Sequence, residues 1–188
     1  MTTDPESDVE VTQWLVPDRV INLIPYSRLT SGDILLLPAK IEDNNVALYL
    51  DQDAGFVKSA RAEGVSLSMA TDKENSRYLS EYSAGEVIAQ ILLGVTGNLS
   101  TDYLKMIAIA TRVRILSVLA GLPMSRSNDK IRISLTEIEV TETTRKASGI
   151  EIEIPVKYFD QSDDSVVDIL GQALGKIEIA PPNRTIED

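Results

Sequence analysis

The stretch from Ser83 to Leu122 constrains this chain most, because it is the longest run dense enough in apolar residues to form two consecutive helices. Everything else must pack against it. Ser83-Ala84-Gly85-Glu86 places a serine three residues before a glutamate, so each side chain can satisfy a backbone N–H of a first helical turn. Val87, Ile88, Ile91, Leu92 and Val95 follow at helical spacing, and Gly97-Asn98 supplies residues that tolerate the left-handed conformation at a helix end. A second helix, capped by Asn98 or Ser100, carries Tyr103, Leu104, Met106, Ile107, Ile109, Val113, Leu116 and Leu119 and stops at Gly121-Leu122-Pro123. The expectation is an αα-hairpin.

The other segments surround it with strands. Ile34–Leu37 is a short continuous apolar run that suits a strand buried on both faces, with Pro38 placing its end near a sheet edge or bulge. Val46–Leu50, a helix from Asp51-Gln52-Asp53 to Gly64, and Val65–Met69 read as a short βαβ unit. Lys130 to Thr141 alternates with Ile131, Ile133 and Leu135 on one face, and then Ile138 and Val140 change parity. A bulge near Thr136-Glu137 would keep all of them in one core. Ile150, Ile152, Ile154, Val156 and Tyr158 alternate in a returning strand, with residues 143–149 as the turn. An amphipathic helix then runs from Ser162-Asp163-Asp164 to Gly175, and Ile177–Ile179 fits a last short strand.

The expected fold is therefore α/β, or mixed α+β: a mixed sheet with a βαβ unit and a long antiparallel β-hairpin, covered by a helical hairpin. Val11 to Leu37 fits neither helical nor strand period, and Pro17 and Pro25 interrupt it. Trp14 is expected to pack this segment onto the core. Residues 1–10 hold four acidic residues and 181–188 open on Pro181-Pro182, so both ends are expected to be disordered around one globular domain over 11–180.

The 188 residues include no cysteine and no histidine, which removes thiolate nucleophiles, histidine bases and Cys/His zinc sites. Any catalysis must use Asp, Glu, Ser, Thr, Tyr, Lys or Arg, or a hard metal held by carboxylates. The formal charge of −11 disfavours general nucleic-acid binding. No basic leader precedes an apolar core, and Thr111, Arg112, Arg114 and Ser117 interrupt the most apolar run, so a cytoplasmic protein without a membrane span is expected. Leu99 to Lys130 runs against the trend, with Lys105, Arg112, Arg114, Arg126 and Lys130 facing only Asp102 and Asp129.

One constellation suggests chemistry. Leu48-Tyr49-Leu50-Asp51-Gln52-Asp53-Ala54-Gly55 is an apolar strand ending in Asp-x-Asp, and it resembles the first motif of haloacid-dehalogenase-like phosphohydrolases. The resemblance implies Asp51 as the nucleophile on phosphorus, Asp53 as general acid or base and a bridging magnesium ion. Ser68 or Thr71 would hold the phosphate, and Asp51, Asp163 and Asp164 would hold the metal, with Asp168 a further candidate. Ala54-Gly55 reverses the family's glycine-threonine order, and helix capping accounts for the same aspartates without chemistry.

The leading expectation is a non-catalytic binding or adaptor protein without a cofactor, acting through association with a protein partner or with itself. The order of elements resembles that of small accessory proteins of bacterial conflict systems, a likeness that no motif carries. The second helix motivates this reading, because its apolar residues surround more of its circumference than one packed face requires. Lys105, Ile107, Arg112, Arg114 and Ile115 are the expected contact residues.

Overall fold

The computed structural model describes residues 9–14, 16–79, 90–96, 100–119, 130–141, 144–155, 157–158, 163–175 and 185–187. The main sheet takes β1 (Glu10–Trp14), β2 (Ile34–Leu36), β5 (Leu67–Met69), β7 (Gln90–Thr96), β8 (Lys130–Val140), β9 (Thr144–Pro155) and β10 (Thr185–Glu187). Its path is β1-β9-β8-β7-β2-β5, with β10 paired to β9 as well. A second sheet orders β3 (Lys40–Ile41), β4 (Ala47–Leu50) and β6 (Ser76–Leu79) as β3-β4-β6. The helices are α1 (Asp18–Asn22), α2 (Tyr26–Leu29), α3 (Asp53–Ala62), α4 (Thr101–Leu119) and α5 (Asp163–Gly175).

The mixed sheet, the long β-hairpin and a helical cover are all present, but the chain builds two of them from other segments than expected. Residues 90–96 form the parallel strand β7 rather than the first helix of a hairpin. Ile91, Leu93 and Val95 point into one core while Leu92 packs against the other, so the run is apolar because both faces are covered. The expected helix start at Ser83 lies outside the described residues. The helices that pack on α4 are α5 and α3.

The βαβ unit is β7–α4–β8, whose strands pair in parallel from Gln90↔Arg132 to Thr96↔Ile138. The expected unit at 46–69 keeps its strand–helix–strand order, yet its strands join different sheets: β4 pairs in parallel with β6, and β5 with β2. Gly64 closes α3 at φ +86°, as its position in the sequence suggests. β2 is wholly buried and lies inside the sheet between β7 and β5, so Pro38 follows an interior strand rather than marking an edge. Residues 73–75 make a 3₁₀ turn before β6.

β8 and β9 pair without interruption from Lys130↔Pro155 to Val140↔Arg145, so there is no bulge at Thr136-Glu137. Ile138 and Val140 point to the opposite face from Ile131, Ile133 and Leu135, and that face has its own core. β9 starts at Thr144, inside the segment read as the turn.

The unreadable amino-terminal segment supplies the lid of this second core. Pro17 and Pro25 cap α1 and α2 rather than breaking a longer element. Val20, Ile21, Ile24 and Leu29 settle on Leu35, Leu37, Ala70 and Ile138, and Trp14 packs against them. The Arg145 guanidinium donates at 3.0 Å to the carbonyls of Ile21 and Ile24, which ties the lid to β9. Glu10 lies in β1 and residues 185–187 in β10. Ile177–Ile179 lies outside the described residues.

Candidate functional site

The Asp-x-Asp segment sits where β4 hands over to α3. Asp51 is exposed in the connecting turn. Asp53 occupies the first turn of α3 and points inward, where its Oδ2 accepts a 2.8 Å hydrogen bond from the Leu50 N–H. Its Oδ1 meets Arg114 Nη2 of α4 at 2.8 Å, and the arginine and aspartate side chains are 4% and 7% exposed. The guanidinium also lies over the Phe56 ring, 5.2 Å from its centroid. Burial pushes the Asp53 carboxyl above its ordinary range, against the lowering pull of the Arg114 charge and the Leu50 donor.

Beneath this pair lies a chain of hydroxyls. Tyr49, fully buried, approaches Thr71 Oγ1 at 3.1 Å and accepts from the Thr71 N–H at 3.2 Å, and Thr71 Oγ1 meets Ser76 Oγ at 2.8 Å. Burial raises the Tyr49 pKa, keeping the hydroxyl neutral. Thr71 is thereby engaged in packing β4 on the β5–β6 connection. Ser68 is buried in β5 without a hydrogen-bond partner for its hydroxyl among the described residues.

Both oxygens of Asp53, the position the resemblance casts as acid or base, are engaged within the fold. A general acid or base must reach the reacting group, and both Asp53 oxygens are taken, one by Arg114 and one by the Leu50 amide. Asp163 and Asp164 open α5, which packs on α4. Among the described residues no group of three acidic side chains is gathered to hold a metal ion.

The expected contact surface on α4 also needs correction. Ile107, Arg114 and Ile115 are buried inside the protein. The main sheet, α3 and α5 bury α4 over most of its circumference, which explains its surplus of apolar residues without a partner. Lys105, Arg112 and Leu116 do reach solvent, at positions seven and four apart that place them on one stripe. Half-buried Ile109 lies between them, and Leu116 is 60% exposed.

A second charged surface lies on the main sheet beyond the α1–α2 lid. Lys130 reaches Glu10 at 2.7 Å and Glu153 at 3.6 Å, while Arg132 reaches Glu153 at 2.6 Å and Glu151 at 3.3 Å. Glu10 and Glu153 are direct cross-strand neighbours, so these cations offset a like-charge pair. The Arg132 hydrogen bond holds the Glu153 carboxyl below its ordinary range, and the Glu10 hydrogen bond raises the Lys130 pKa. This lattice crosses β1, β9 and β8 and fastens the edge strand.

Among the described residues no helix is long and apolar enough to cross a membrane. Comparison with models of protein families, with curated proteins and with solved structures finds no match to this chain.

Proposed function

We propose that this chain is a non-catalytic binding protein that works by association with a protein partner or a second copy, through the solvent-facing stripe of α4. The supporting observation is that a 60%-exposed Leu116 follows Arg112 on the stripe that also carries Lys105 and half-buried Ile109, on a chain of formal charge −11. An exposed leucine beside an arginine suits the small apolar centre and polar rim of a modest interface. The buried acid and base pair of Asp53 with Arg114 is used to join α3 to α4, which favours binding over chemistry.

Light scattering behind size exclusion across a dilution series, for the parent chain and for Leu116→Asp with Lys105→Glu, tests the reading. Association that the double substitution abolishes supports it. A parent chain that is monomeric at every concentration, and whose partner capture is unchanged by the substitutions, counts against it. Ile107→Asp and Ile115→Asp are unsuitable probes, since each would place a carboxylate in the core.

A further inference from the structure

The solvent-facing positions of α4 restrict what can lie on them. Asp102, Lys105, half-buried Ile109, Arg112 and Leu116 follow one another at three and four residues, the spacing of a seam along which a second helix packs. At 1.5 Å per residue the seam is about 21 Å long. Its order is acid, base, apolar, base, apolar. Arg112 keeps an interaction within the chain, whereas Lys105 is exposed and has no ion pair among the described residues. Lys105 is therefore the cation of the seam whose counter-charge a partner can supply.

A second copy of α4 does not supply it while covering Leu116. Asp102 is the sole acid in α4. In an antiparallel pair, Lys105 faces Asp102 only when the contact centres between residues 103 and 104, and Leu116 then projects past the start of the other helix at Thr101. Every antiparallel register that keeps Leu116 on the other helix sets Lys105 opposite Arg112 or a later position, where α4 has no acid. In a parallel pair Lys105 faces Lys105 and Arg112 faces Arg112, and like charges set against each other oppose association. Two chains of formal charge −11 also repel one another as wholes.

We infer that the occupant of the α4 stripe is an amphipathic helix of a different protein, with a carboxylate opposite Lys105 and apolar side chains over Ile109 and Leu116. This rests on the α4 reading and narrows it to a heterologous, acid-rimmed partner.

The probes are two synthetic helical peptides of one composition and one net charge, built on the same leucine seam. One carries glutamates beside the seam and lysines on its outer face, and the other exchanges them, so the overall charge of the chain acts on both alike. Each is titrated into the full-length chain at about 150 mM salt, where distant charges are screened beyond about 8 Å, and followed by amide chemical shifts. The glutamate-rimmed peptide should bind about threefold to fivefold tighter, with shifts centred on 105–116. Lys105→Glu, at an exposed position, should reverse the order. Equal affinities, the opposite order, or no binding of either peptide at millimolar concentration overturns the inference. A parent chain that dimerises and loses the dimer on Leu116→Asp also overturns it, while leaving the α4 reading standing. Shifts centred away from 105–116 count against both.

Discussion

Removing either partner of the Asp53–Arg114 pair should cost far more than removing both. At 2.8 Å the attraction is about 6 kcal/mol for an effective dielectric near 20, and the desolvation of each ion is several kcal/mol, so the two nearly offset. Asp53→Asn keeps an acceptor for the Leu50 amide but removes a buried counter-charge from the guanidinium, for an expected loss of about 3–5 kcal/mol. Arg114→Met keeps a long side chain over Phe56 and should cost a similar amount at neutral pH. The double variant should fall within about 1 kcal/mol of the parent. The two single variants separate with pH. Asp53 can escape by taking a proton and an arginine cannot lose one, so the Arg114→Met deficit should shrink as pH falls through the folded Asp53 pKa, already raised by burial. The Asp53→Asn deficit has no such release. Urea unfolding followed by Trp14 fluorescence at pH 7 and pH 5 gives all the values. A double variant as unstable as the sum of the singles would refute the reasoning, since additivity means the two side chains act independently rather than as a coupled pair.

Gly149→Ala should destabilise by about 1–3 kcal/mol, because the new methyl meets the Trp14 carbonyl and β1 must shift, and it should change Trp14 fluorescence as well as the unfolding midpoint. Glu137→Gln should stabilise modestly at neutral pH, by about 0.5 kcal/mol. Burial, and then the neighbouring Glu139 charge, raise the Glu137 pKa in the fold. Its ionisation therefore weakens stability as pH rises through the folded value, and the gain should vanish below the ordinary glutamate range in thermal unfolding at stepped pH. A gain that persists in acid would contradict this.

What was legible followed from periodicity. The β8–β9 hairpin alternates because each strand has distinct faces, and α3 and α5 are amphipathic with glycines at or just beyond their ends. Residues 90–96 misled because a strand covered on both sides is continuously apolar, and a short continuous run satisfies helical spacing as readily. Gly94 was the available sign. A Cβ there would come within 3.2 Å of both Ile138 Cδ1 and Leu37 Cδ2, a close approach that a helix interior would not require. The parity change at Ile138 was visible, but its cause, a second core under α1 and α2, depends on a segment with no clean period. The Asp53–Arg114 contact joins residues far apart in sequence, so spacing could suggest a cap for one and a helix-end charge for the other but never the pair.

The pairing of β1 with β9 places a demand on how the chain is made. Glu10 waits for Glu153, roughly 140 residues later, and at about 5–20 residues per second of elongation that is an interval of about 7–30 s. During it Val20, Ile21, Ile24 and Leu29 lack Ile138, and Arg145 cannot yet hold the end of α1. The nascent lid therefore presents apolar surface to its surroundings until the hairpin emerges, and slow elongation would prolong the vulnerable period in which holding chaperones or premature aggregation compete for it.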